Sequence, residues 1–235
     1  MSKNILIIGA SRGLGKGLYD KYTKEKYNVF KSTRKKIKNE KNNKNVIQLD
    51  LNKIKSFQKI KIDKTVKFSI VFFVAALIPL SKEVNKKKCL FGNFDYKEYE
   101  KFMKINCFSH IKFFETLYKK NYIEKNDKII FVSSSAASIE LRGRMKHHSP
   151  GGNLFYRISK SALNSAMKNI SYALSNKNLI IISLDPGWLN KSKIKNKKEQ
   201  LSVKESTKKI FNVVKKLTKN QDGKFINLNF KEVPW

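Results

Sequence analysis

The chain has 235 residues, a length that suits one α/β domain with a full-sized core, and residues 1–235 read as a single unit. Its 51 Lys and Arg against 18 Asp and Glu give a formal charge of +33, which invites a nucleic-acid or anionic-membrane reading. Only five of the basic residues are arginine and the other 46 are lysines scattered over loops and helix faces, so a solvated, charged surface is the better reading and no specific nucleic-acid partner is expected.

The apolar run Ile5-Leu6-Ile7-Ile8 predicts a first strand, and it feeds straight into Gly9-Ala10-Ser11-Arg12-Gly13-Leu14-Gly15. Strand, tight turn and helix start are how many folds hold a pyrophosphate: glycines admit the ligand to the backbone, and the helix N-terminus offers free N–H groups. The spacing is G-x-x-x-G-x-G, which an ordinary glycine-rich turn also matches. A helix follows over Leu14–Tyr27, then a strand over Asn28–Thr33, a lysine- and asparagine-rich connection over Arg34–Asn45, and a third strand over Val46–Leu49 ending at Asp50. A short helix is expected over Ile54–Ile62. Phe68–Ala75 reads as a strand buried on both faces, within an apolar run too short to span a bilayer. Asp95–Lys120 is helical, with a break near Asn106. The fifth strand covers Lys128–Ser133, an amphipathic helix Ser159–Leu174, the sixth strand Leu179–Leu184, another helix Val203–Leu217, and a last strand Lys224–Leu228. Strands alternate with helices throughout, which predicts an α/β fold: a doubly wound, largely parallel, seven-stranded sheet with helices on both faces. Cys89 and Cys107 make neither a disulfide framework nor a metal pattern, and no secretory signal is visible, so a soluble protein of the reducing cytoplasm without a metal is expected.

In such a sheet, ligands gather at the carboxyl ends of the strands. Ser133-Ser134-Ser135 follows the fifth strand, and Tyr156-Arg157-Ile158-Ser159-Lys160 opens the next helix. The pattern Tyr-x-x-x-Lys occurs three times, at Tyr22/Lys26, Tyr27/Lys31 and Tyr156/Lys160, where about two are expected by chance in so lysine-rich a chain. Position singles out the third. Tyr156 and Lys160 share a helix face, and a nearby ammonium is expected to lower a phenol's pKa toward that of a useful general acid/base. A serine hydroxyl beside them suits a carbonyl oxygen on which charge develops.

On these residues the chain resembles the short-chain dehydrogenase/reductase superfamily over essentially its whole length. Tyr156 to Asn164 and the ending from Gly223 to Trp235 look like its C-factor and sniffer-type branch. The resemblance implies a Rossmann-type fold and hydride transfer between a nicotinamide and a small-molecule carbonyl or alcohol. Tyr156 is then the general acid/base, Ser134 the holder of the carbonyl oxygen, Lys160 the ribose contact, and Asn106 the residue that positions a water linked to Lys160. It assigns cofactor contacts to Gly9, Ser11, Arg12, Gly13, Leu14 and Gly15, to Arg34, to Asp50 and Leu51, to Ala75 and Ala76, to Tyr156 and Lys160, and to Pro186, Gly187 and Trp188. The end of the second strand, Ser32-Thr33-Arg34, lacks the carboxylate that binds the NAD ribose, while Arg12 and Arg34 suit a 2′-phosphate, so NADPH/NADP+ is expected over NADH.

The family commonly forms dimers or tetramers through its long helices, and some members are cofactor-binding regulatory proteins with little turnover. Substrate loops are expected near residues 138–155 and 189–200. The lysines of the second loop, Lys191, Lys193, Lys195, Lys197 and Lys198, suit an anionic or polar carbonyl. Three departures stand out. Phe73-Val74-Ala75-Ala76 replaces the usual Asn-Asn-Ala-Gly, so that region is expected to be held by packing. The first loop is long and basic, and the threonine usual after the sixth strand gives way to Leu189-Asn190-Lys191-Ser192.

Overall fold

The computed structural model describes residues 3–34, 44–79, 81–82, 84–144, 154–189 and 200–235. Seven strands form one sheet: β1 (Asn4–Ile8), β2 (Asn28–Thr33), β3 (Val46–Gln48), β4 (Phe68–Phe73), β5 (Lys128–Val132), β6 (Ile180–Leu184) and β7 (Phe225–Ile226). Their order is 3-2-1-4-5-6-7 and every neighbouring pair is parallel. Chain direction across the sheet reverses between β1 and β4, which opens a crevice beyond their carboxyl ends. In register, Ile8 sits opposite Phe73 there.

Strand alternation builds two cores. Leu6, Ile8, Phe73, Ile129 and Phe131 point to one face, and Ile5, Ile7, Phe72, Ile130 and Val132 to the other. The first face is covered by α3 (Ser109–Lys119) and α4 (Leu154–Ala173) through Phe113, Phe114, Leu163 and Met167. The second is covered by α1 (Gly13–Lys24) and α5 (Val203–Lys216) through Leu18, Tyr22, Ile210 and Phe211. The helices therefore lie on both faces, as the alternating pattern requires.

Three elements differ from expectation in informative ways. The helix read as starting at Ser159 begins at Leu154, so Tyr156 lies inside its first turn. Phe155 is the reason: it is buried against Leu77, Cys89 and Phe102, and that packing extends the helix through a stretch with weak helical periodicity. The break expected near Asn106 is a wide π-turn over Lys104–Phe108, joining α2 (Tyr96–Met103) to α3. Such turns insert one extra residue into a helix and recur at functional sites. The stretch after β3 is a 3-10 turn over Ile54–Lys59 rather than an α-helix. Among the described residues, no helix is long and apolar enough to cross a membrane.

Candidate active site

The turn after β1 is shaped by close backbone approach. Gly9 has φ +96° and donates its N–H to the Ser32 hydroxyl at 2.9 Å, tying the ends of β1 and β2 together. A Cβ on Gly9 would lie 2.7 Å from Ala75, and one on Gly15 would lie 2.1 Å from the Gly9 carbonyl oxygen. The Ile8 carbonyl in turn accepts from the N–H groups of Val74 and Ala75, so β4 is pinned to the same turn. Ser11, Arg12 and Gly13 are exposed at the start of α1, whose first turn carries no acidic residue, while Leu14 and Gly15 are buried beneath them. Unpaired helix N–H groups, no competing carboxylate and a cradle closed to any Cβ fit a dinucleotide pyrophosphate.

The other predicted contacts lie just beyond the carboxyl ends of the strands. Thr33 and Arg34 end β2, with Arg34 exposed and no carboxylate at the strand end. Asp50 is half-buried and accepts the Asn52 N–H at 3.0 Å, and the carbonyl of buried Leu51 accepts the Ser109 hydroxyl at 2.6 Å. Ala75 and Ala76 lie half-buried at the end of β4. Beyond β6, Gly187 has φ +76° with its N–H on the Asp185 carboxylate, the Pro186 carbonyl accepts the Ser206 hydroxyl at 2.8 Å, and the Trp188 carbonyl accepts the Leu201 N–H at 2.8 Å. Asn190, Ser192 and the lysines of the second loop lie outside the described residues, as do Lys146, His147 and His148 of the first. In the described part of that first loop, Arg144 pairs with Glu140 at 3.0 Å, and Arg142 lies near enough to Arg157 to act on its charge.

At the carboxyl end of β5, the three serines separate. Ser133 is buried with its hydroxyl unpartnered at the strand end, whereas Ser134, extended at φ −169°, caps a short turn over Ser135–Ala137. The Ser134 hydroxyl hydrogen-bonds the Tyr156 phenol. One helical turn on, the Lys160 ammonium is 2 % exposed and donates to the Val132 carbonyl at 2.7 Å. Asn106 is fully buried in the π-turn: its carboxamide accepts the Leu77 N–H at 2.7 Å, donates to the Leu77 carbonyl at 2.9 Å, and donates to the Ser159 hydroxyl at 3.0 Å. Its side chain is thus committed to the loop after β4 and to α4.

The electrostatics of the tyrosine are dominated by burial. Burial pushes the Tyr156 phenol up to about 12, the Ser134 bond and the Arg157 guanidinium pull it down, and the Asp185 carboxylate pushes it up. Desolvation of the phenolate outweighs the charges around it.

Two residues of the site escaped sequence reading. Asp185, at the end of β6, acts on Tyr156. His110 is fully buried in α3, bonds the Ala75 carbonyl through Nε2 at 2.7 Å, and meets the Phe73 ring edge-on at 5.5 Å between centroids. Its Nδ1 has no partner, and burial, with the Lys160 charge nearby, drives its pKa down to about 3. The Phe73 segment is therefore held by packing, with Phe73 stacked on Phe131 at 4.7 Å, and also by hydrogen bonds between His110 and Ala75 and, in both directions, between Asn106 and Leu77. Only the spacing of Asn106 and His110 on one turn signals this, and periodicity assigns His110 simply to the core.

Proteins similar to the chain include the following three. The C-signal protein of Myxococcus xanthus is 24 % identical over 147 residues, covering 63 % of this chain and 84 % of that protein. The carbonyl reductase Sniffer of D. melanogaster superposes with a TM-score of 0.78 at 24 % identity, covering 100 % of both chains. The NADPH-bound carbonyl reductase from chicken fatty liver superposes with a TM-score of 0.79 at 19 % identity, covering 100 % of this chain and 99 % of the other. The profile of the short chain dehydrogenases matches residues 3–202, and with its sheet order, its glycine turn and its serine–tyrosine pair at the strand ends, the chain belongs to that family of oxidoreductases.

Proposed function

We propose that this protein is an NADPH-dependent oxidoreductase that reduces a small-molecule carbonyl to an alcohol. The observation that carries the reading is the Ser134–Tyr156 hydrogen bond, with Lys160 one turn away, at the carboxyl end of β5, the strand next to β4. The bound nicotinamide supplies the hydride. Ser134 orients the carbonyl oxygen, and Tyr156, protonated at neutral pH, gives its phenolic proton to that oxygen as charge develops there. The phenolate left behind is stabilised by the Ser134 hydroxyl and regains its proton from solvent; Lys160 would hold the cofactor's ribose, and its charge one turn from Tyr156 favours that phenolate. The alcohol product is neutral, so the reverse oxidation uses the same groups.

The choice of NADPH is supported by the exposed Arg12 in the glycine turn and Arg34 after β2, by the missing carboxylate at the end of β2, and by the NADPH named with the chicken enzyme. Homodimers or homotetramers through the long helices belong to the same reading, supported by Tyr172 at 84 % and Phe108 at 55 % exposure. One observation favours a second reading, a cofactor-binding regulatory protein with little turnover: burial leaves the Tyr156 phenol raised.

Titration of the purified protein with NADPH and NADH, read by nicotinamide fluorescence and followed by turnover with a panel of ketones and aldehydes, separates the two. NADPH binding with turnover abolished by Tyr156→Phe supports the reductase. Binding without turnover supports the regulatory reading, and binding of neither nucleotide overturns both.

A further inference from the structure

Beyond β4 the chain makes a 3-10 turn over Lys86–Cys89 and then a loop closed at its base. The Asp95 N–H donates to the Lys88 carbonyl at 3.2 Å, and the Lys88 ammonium pairs with the Asp95 carboxylate at 2.8 Å. Asn93 braces the interior, with its N–H on the Leu90 carbonyl and its carboxamide on the Lys87 carbonyl. Because the loop satisfies its polar groups internally, its apolar side chains face outward. Phe91 is 90 % exposed, Tyr96 71 %, Phe94 49 % and Leu90 47 %. The Phe91 and Phe94 rings meet edge to face at 5.8 Å, and Phe94 leans on the buried Phe155 at 5.2 Å, so the pair is anchored to the core. A cluster of that size left in water marks an interaction surface.

The charge around it is one-sided. Lys86, Lys87 and Lys97 are exposed and, among the described residues, have no carboxylate partner, while Asp95 is neutralised by Lys88 and Glu98 by Lys101. A second copy of the chain would bring the same lysines and a further +33 against this face. A nucleic-acid strand matches the charge, but an edge-to-face ring pair offers no parallel faces on which successive bases stack. An anionic bilayer matches both features: aromatic side chains settle at the headgroup boundary, and lysines beside them meet the lipid anions.

We propose that residues 86–97 form a docking surface for an anionic lipid bilayer, with Leu90, Phe91 and Phe94 entering the interface and Lys86, Lys87 and Lys97 against the lipid headgroups. The proposal stands apart from the reaction assigned to Tyr156.

The test is co-sedimentation of the full chain with phosphatidylcholine vesicles, with and without about 30 % phosphatidylserine, at near-physiological salt. Wild-type protein should bind only the anionic vesicles. Phe91→Ser/Phe94→Ser should lower the partition coefficient at least about tenfold. Lys86→Glu/Lys87→Glu should lower it by about fivefold or more per lysine. Lys208→Glu/Lys209→Glu on α5 and Tyr172→Ser on α4 should leave it within about threefold, since those exposed residues lie away from the loop. The indole introduced by Phe91→Trp should be quenched by lipids brominated on their acyl chains, a readout independent of whether the double variants fold. Equal losses for loop and control variants would mean that the field of the whole molecule does the binding, and would overturn the proposal. So would an unquenched indole, or loop variants that spare vesicles while changing the sedimentation-equilibrium mass or the binding of single-stranded RNA.

Discussion

Tyr156 is protonated at neutral pH because burial outweighs the positive charges near it, which suits it to give a proton rather than to take one. Tyr156→Phe should therefore lower kcat by about two to four orders of magnitude while leaving NADPH affinity nearly unchanged, as steady-state rates and fluorescence titration will show. At the ribose end, Arg34→Asp should weaken NADPH binding by about tenfold or more and spare or improve NADH. Equal effects on the two nucleotides would reduce Arg34 to a surface residue. His110 carries a pH signature of its own. Its pKa falls from 6.5 to about 3 on folding, so the unfolded chain takes up a proton that the folded one refuses, and stability is lost as pH falls from 6.5 toward 3. Asp127 acts oppositely: burial raises it from 3.8 to about 6, so its contribution grows as pH falls through that window. The two slopes offset each other in wild type, each at about 1.4 kcal/mol per pH unit. His110→Gln keeps an N–H for the Ala75 carbonyl but cannot titrate, so its urea-unfolding stability relative to wild type should rise by about 1 kcal/mol per unit as pH falls from about 6 to about 4. Parallel curves would show that His110 does not titrate as the buried geometry requires.

The wide turn at Lys104–Phe108 is the element on which the site depends. It lets α2 and α3 run as one helix while setting Asn106 inward, where a single carboxamide satisfies both backbone groups of Leu77 and reaches Ser159 on α4. Asn106→Ala leaves the Leu77 N–H and carbonyl buried without partners, at a cost of about 2 kcal/mol or more in chemical unfolding. It should also lower kcat, because the loop after β4 and the helix bearing Tyr156 lose their shared tie. A variant that keeps wild-type stability would remove Asn106 from this role. The break itself was legible in the sequence from Asn106 and its flanking apolar residues. Its form as a π-turn was not, since apolar periodicity reports which face is buried and not which carbonyl each N–H bonds.

A charge of +33 on a chain of 235 residues sets a self-repulsion that acts on every element at once. Raising ionic strength from about 0.01 M to about 1 M shortens the Debye length from about 30 Å to about 3 Å, so Tm should rise by several degrees over that range in sodium chloride, and a flat or falling Tm would show that the lysines sit too far apart to matter. At this scale the sequence alone determines a good deal. Apolar runs of strand length, ended by glycine, serine or aspartate and separated by helical periodicity, dictate the alternating α/β order. Parallel strands need crossovers, so the doubly wound sheet and the strand ends that carry Gly9, Ser134, Tyr156 and Gly187 follow from local chemistry. Other features depend on side chains distant in sequence meeting in space, and local pattern does not encode them. Only the tertiary structure decided that Lys160 donates to the Val132 carbonyl, that His110 reaches across 35 positions to Ala75, and that Phe91 and Phe94 face outward. The physical reason is that hydrogen-bond partners and pKa values are set by burial and by which groups share a few ångströms, and both arise only when the sheet brings separate strand ends together.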